Sequence, residues 1–276
     1  MGFLSKIRLT ALFAVLVAVF GAVGLYFGGA SGMVLGLIVA GAMNFVSYFY
    51  SDKMVVKMHR AEALSEEEAP EIHSIVEKLS EKAGIPKPKV YAMDESTPNA
   101  FATGRKPSKS IVCVTSGLIS NLSKDEVEGV LAHELSHIKN RDTLIQTVAG
   151  TLAGAISIIA HFLWFSTFDN DNQNPLFLIG AIVLAPLAAS MIKLAISRSR
   201  EFSADSSASK LTEPEKLASA LESIESSVSA SRKPMKRGSE GTSHLYIVNP
   251  FRKSGLAKLF STHPPTEERI ERLRSL

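Results

Sequence analysis

From Leu9 to Ser51 the chain contains no Asp, Glu, Lys, Arg or His, and this bare stretch limits its folding more than any other feature. It divides at Gly28-Gly29-Ala30-Ser31-Gly32 into Leu9–Phe27 and Met33–Phe49. Each half is long enough, or nearly so, to cross a hydrocarbon core of about 30 Å as a helix. The pattern predicts a transmembrane hairpin over residues 1–51. The apolar run continues into a second span instead of ending at a small-residue cleavage site, which argues against a removed signal peptide. A second uncharged pair, Thr143–Phe165 and Pro175–Ile192, predicts another hydrophobic hairpin over 143–192 that spans the membrane, with a buried core hairpin or a re-entrant pair as the alternative. It carries Gln146, His161 and Pro186.

Composition agrees with a membrane protein that has a substantial water-facing part. Of 276 residues, 46% are hydrophobic and 21% charged, with net charge +3. Disorder, a collagen-like chain and a disulfide scaffold are excluded. The single cysteine, Cys113, lies in an Ile-Val-Cys-Val run and reads as a small buried side chain. Lys6 and Arg8 precede the first span, and Lys53, Lys57 and Arg60 follow the second. Lys139 and Arg141 precede the third, and Lys193, Arg198 and Arg200 follow the fourth. The positive-inside rule then places both termini and both polar regions in the cytoplasm. The expected localisation is a multi-pass protein of the cell (inner) membrane, with 52–142 and 193–276 forming one cytoplasmic domain.

The polar regions read as mainly α with a small antiparallel β-sheet. Helices are expected over Ala63–Lys82, from the Ser123-x-x-Glu126 capping box onward, through about Lys210, and over Glu213–Ser229. Lys89–Met93, Asn99–Thr103 and Ser110–Ser116 read as short strands. The stretch Ser229–Thr242, rich in Ser, Lys, Arg and Gly, reads as a loop. No phosphate-cradling Gly-rich loop is present, and no nucleic-acid partner is expected.

His133-Glu134-Leu135-Ser136-His137 carries the chemistry. Positions i and i+4 share a helix face, so both imidazoles can hold one metal ion. Glu134 follows the first ligand, where a carboxylate can take the proton of a metal-bound water. A catalytic zinc takes three protein ligands and an open position. Glu201 and Asp205, i and i+4 after the fourth span, offer a third ligand and a carboxylate to orient a ligating histidine. Alone, such a pair is also a common spacing on solvated helix faces.

His133-Glu134-x-x-His137-x-x-x-Arg141-Asp142, with Arg200-Glu201-Phe202-x-Ala204-Asp205 after a hydrophobic pair, resembles the HtpX family of membrane zinc metalloproteases, relatives of the CAAX prenyl proteases. Pro98-Asn99-Ala100-Phe101-Ala102-Thr103-Gly104 and Thr262-His263-Pro264-Pro265-Thr266 belong to the same resemblance, which covers nearly the whole chain. It implies a gluzincin-type catalytic domain and one zinc ion per chain on His133, His137 and Glu201. It further implies Glu134 as general base and Asp205 as the carboxylate behind a ligand. Asn99, Ala100, Phe101, Ala102 and Thr103 are implied as the strand that receives an extended substrate. His263 matches a family histidine near the active site; an oxyanion donor and a structural helix cap are both open to it. The implied activity is cleavage of protein or peptide substrates, chiefly damaged or misfolded membrane proteins at the lipid bilayer, in stress-linked quality control.

Overall fold

The computed structural model of the chain describes residues 3–166, 198–230, 247 and 264–276. The chain divides into two compact units, Met1–Ser51 with Val148–Ala195, and Asp52–Thr147 with Ile196–Leu276.

In the first unit, α1 (Phe3–His59) is interrupted at Gly28 and at Gly29, whose φ of 57° and ψ of −146° suit only glycine. The two arms then run back against each other. A Cβ on Gly24 would overlap the carbonyl of Gly32, and one on Gly36 would overlap that of Phe20. Small residues permit this backbone approach. Farther along, Asn44 donates to the Phe13 carbonyl at 3.3 Å, and the Phe13 and Tyr48 rings meet edge to face at 6.5 Å. Leu25, Phe27, Leu35, Ile38 and Phe45 point outward and are exposed. Lys6–Tyr50 is long and apolar enough to cross a membrane, and it is the one such helix among the described residues. Of the second hydrophobic pair, α5 (Asp142–Ser166) is helical; Pro175–Ile192 lies outside the described residues.

The second unit holds a four-stranded sheet in the order β1-β2-β4-β3. Its strands are β1 (Glu62–Ala63), β2 (Lys89–Met93), β3 (Ala100–Thr103) and β4 (Ile111–Thr115). The expectation of an antiparallel sheet is corrected here: β1–β2 and β3–β4 are antiparallel, but β2 and β4 are parallel. After β2 the chain skips one strand width, runs down as β3, and returns as β4 into the gap, so β4 must follow the direction of β2. Alternating apolar residues specify a strand and its faces, not its direction.

One face of the sheet is covered by helices. α2 (Pro70–Ala83) buries Ile72, Ile75, Val76 and Leu79, and α3 (Ser116–Asn121) is capped by the Thr115 hydroxyl. α4 (Lys124–Asn140) opens with the expected reciprocal capping box of Ser123 and Glu126 and is buried without interruption from Val127 to Ile138. A helix buried all round is a core helix, so His133 and His137 are held in close-packed surroundings. After α6 (Arg198–Ala208), α7 (Pro214–Ala230) crosses α4 at Gly129, where a Cβ would lie 2.5 Å from the backbone nitrogen of Leu217. α8 (Thr266–Arg274) closes the described chain.

Candidate metal centre

The histidine motif sits on the buried face of α4. His133 Nε2 and His137 Nε2 lie 3.2 Å apart, and α6 brings Glu201 to them. Its carboxylate oxygens are 3.6 Å from His133 Nε2 and 3.5 Å from His137 Nε2. His133, His137 and Glu201 are the group whose ligand atoms converge enough to hold a metal ion among the described residues. All three are buried.

Three observations test whether these residues fit a cation. Ligand atoms at the corners of a tetrahedron with bonds of about 2.0–2.1 Å stand roughly 3.3 Å apart, close to the three distances found. The second is the position of the ring protons. His133 Nδ1 faces Asp205 Oδ1 at 2.8 Å, and His137 Nδ1 faces Asp142 Oδ2 at 3.3 Å. Carboxylate partners assign each proton to Nδ1, which leaves both Nε2 lone pairs aimed at one point beside a carboxylate. Only a cation or a proton relieves that arrangement. The third is charge. Glu134, Glu201, Asp205 and Asp142 face two guanidinium groups, Arg269 and Arg200. With all four acids ionised and both imidazoles neutral, the formal balance is two negative charges, which one divalent cation would neutralise. The residues fit a metal ion.

Electrostatics agree. Burial disfavours a charged His133, but the carboxylates of Asp205 and Glu201 outweigh it and hold its pKa at about 9. A field that so favours a proton also favours a cation in its place. Burial would raise Asp205, yet the Arg269 guanidinium and His133 overcome it and keep the carboxyl at about 2. Glu134 is also buried, and there burial prevails: its carboxyl is pushed above the usual value, against the opposing pull of both imidazoles. A raised carboxyl is what general-base chemistry near neutral pH uses.

The remaining expected residues have mixed positions. Asn99 and all of β3, from Ala100 to Thr103, are buried, and β3 is the terminal strand of the sheet. Asn99 Oδ1 accepts from the amides of Ala100 and Ile247, each at 3.1 Å. His263 lies outside the described residues. Two residues carry more of the site than sequence reasoning gave them. Arg269 is fully buried, binds both oxygens of Asp205, donates to the Ile247 carbonyl at 3.1 Å and lies 3.4 Å from both ring nitrogens of His133. Asp142 stood in the quoted motif without a role. The signal for Asp142 was its place five residues after a ligand; for Arg269 there was none, because a basic residue in a charged helix reads as solvated.

Comparisons with known proteins bear on the same residues. The family model described as peptidase family M48 matches residues 66–276. A protein described as "Protease HtpX homolog" from Pyrococcus abyssi is 52% identical over 283 residues, covering 100% of this chain and 97% of the relative. The homolog from Salinibacter ruber is 48% identical over 276 residues, covering 99% of this chain and 98% of the relative. The crystal structure of S. mikatae Ste24p shares the fold, with a TM-score of 0.51 at 20% identity, covering 96% of this chain. The present chain spans 62% of that protein's length. A buried His-His-Glu cluster on an M48 fold, with HtpX proteases as full-length relatives, identifies the chain as a peptidase of family M48, of the HtpX type.

Proposed function

We propose that this peptidase is a zinc-dependent endopeptidase of the cell (inner) membrane that cuts cytoplasmic, extended regions of damaged or misfolded membrane proteins. The observation that carries the reading is Glu134, a buried carboxylate with a raised pKa beside the His133–His137–Glu201 cluster. Metal storage or scaffolding has no use for it.

His133, His137 and Glu201 would hold the zinc. When bound, zinc supplies a Lewis acid that acidifies water and polarises the scissile carbonyl. Glu134 takes the proton from the attacking water and passes it to the leaving amine. Asp205 keeps His133 protonated at Nδ1, so that Nε2 stays available. His263 donates to the developing oxyanion. An extended substrate adds beside Asn99–Thr103 through backbone hydrogen bonds, which make little demand on its sequence. The hairpin 1–51 and the hydrophobic stretch 143–192 anchor the domain formed by 52–142 and 193–276, with both termini cytoplasmic. Substrates then arrive close to the bilayer, as a stress-linked quality-control enzyme needs.

The test is cut-site mapping by mass spectrometry. The full chain is placed in lipid vesicles with a single-span substrate whose unstructured tail is long enough to scan depth. Cuts within the tail, absent in Glu134→Gln, are expected. Cuts within the membrane-buried segment would overturn the placement of the site.

A further inference from the structure

Each histidine of the cluster is backed by a carboxylate, and each carboxylate by an arginine, but the two sets come from different elements. Behind His133 stand Asp205 of α6 and Arg269 of α8. Behind His137 stand Asp142, the first residue of α5, and Arg200, the neighbour of Glu201 on α6. Asp142 presents Oδ2 to His137 Nδ1 at 3.3 Å and Oδ1 to Arg200 Nη1 at 3.7 Å. Both acids are buried, and the Arg200 side chain is 11% exposed.

The backbone is arranged for this contact. α4 ends at Asn140 and α5 starts at Asp142, with Arg141 between them as the whole connection, in the left-handed conformation (φ 61°, ψ 31°). Residues with a Cβ enter that region only at a cost, and glycine is the usual occupant of such a helix end. The turn brings the first carboxylate of α5 back to a ligand five residues earlier. A helix-opening acid that only met the free N–H groups of α5 would need neither the imidazole nor the arginine.

Resting on the metalloprotease reading above, we propose that Asp142, held by Arg200, is a positioning residue for the metal. It fixes His137 with the proton on Nδ1 and Nε2 toward the ion. Arg200 pairs with the other oxygen of the buried carboxylate and orients it. α6 therefore serves the centre twice, through the ligand Glu201 and through the cation that steadies the partner of another ligand.

The experiment is zinc competition titration against a chromophoric chelator on the full detergent-solubilised chain, with the visible spectrum of the cobalt-substituted protein as a second readout. Asp142→Ala is expected to weaken zinc binding 10- to 100-fold and to shift the cobalt bands. Asp142→Asn, still able to accept the Nδ1 proton, is expected to lose less. Arg200→Met is expected to weaken binding several-fold, and Asp142→Ala with Arg200→Met no more than Asp142→Ala alone, because the arginine acts through the acid. A merely structural role would lower the melting temperature and leave affinity and spectrum as in wild type; that result overturns the inference. Should Asp142→Ala not fold, Arg200→Met carries the same test, and wild-type affinity and spectrum there overturn it equally. A wild-type chain that binds no zinc would instead overturn the metal reading itself, and this inference with it.

Discussion

Arg269 holds Asp205 with both arms of its fork, Nη2 to Oδ1 at 2.7 Å and Nε to Oδ2 at 2.9 Å, and Asp205 Oδ1 also faces His133 Nδ1 at 2.8 Å. The geometry is bidentate, and all three side chains are buried. Removing one partner of a buried pair leaves an uncompensated charge and costs roughly 3–5 kcal/mol. Arg269→Met should therefore destabilise the chain by about that amount in thermal melts. Arg269→Lys keeps the charge but lacks the fork and should recover only part of it. A melting temperature unchanged in Arg269→Met would contradict the role given to this pair.

The α1 hairpin depends on backbone contact at Gly24, Gly32 and Gly36. Gly24→Leu should force the arms apart without altering hydrophobicity unfavourably. We expect a lower melting temperature in detergent and faster proteolysis near residues 28–32, with Gly41→Leu as the comparison, since nothing lies near a Cβ there. Equal effects of the two substitutions would show that the packing is not made at Gly24.

His59 is buried, donates from Nδ1 to the Val55 carbonyl at 2.8 Å and packs on Phe101 at 5.1 Å. Burial, against the opposing backbone hydrogen bond, lowers its pKa below the ordinary histidine value. The unfolded chain therefore binds more protons than the folded one between the two pKa values, and stability falls as pH drops below about 6.5. His59→Gln should remove this part of the acid sensitivity. The measurement is the difference in melting temperature between pH 7.5 and 5.5, which should shrink in the variant. An unchanged difference would show that His59 plays no part in it.

Cys113 pairs with Phe101 across β3 and β4 and is fully buried. Burial pushes its thiol far above the ordinary range, so little thiolate exists to react. Native protein should resist iodoacetamide for hours and label fully once unfolded. Rapid native labelling would contradict the packing of β4.

Much of this was legible in local sequence. The i, i+4 histidines, the Ser123–Glu126 box and the Lys89–Met93 strand are each set by a short-range rule, and the structure keeps them. Errors arose where a long-range partner decides. Ala63–Lys82 read as one helix, but the helix starts at Pro70, and Glu62–Ala63 pair with Ala92 and Tyr91 as β1. Pro70 itself marked the helix start. The direction of β4 follows from the strand skip after β2, which alternation does not encode. Arg269 has no local signal at all; its role comes from α8 setting it against Asp205, 64 residues away in the chain.

The metal ligands and the general base are tested together by measuring zinc per chain and cleavage of casein in wild type, Glu134→Gln and Glu201→Gln. One zinc and cleavage are expected in wild type, one zinc without cleavage in Glu134→Gln, and loss of both in Glu201→Gln. Retained zinc and cleavage in Glu201→Gln would contradict the ligand set, and cleavage by Glu134→Gln would contradict the general base.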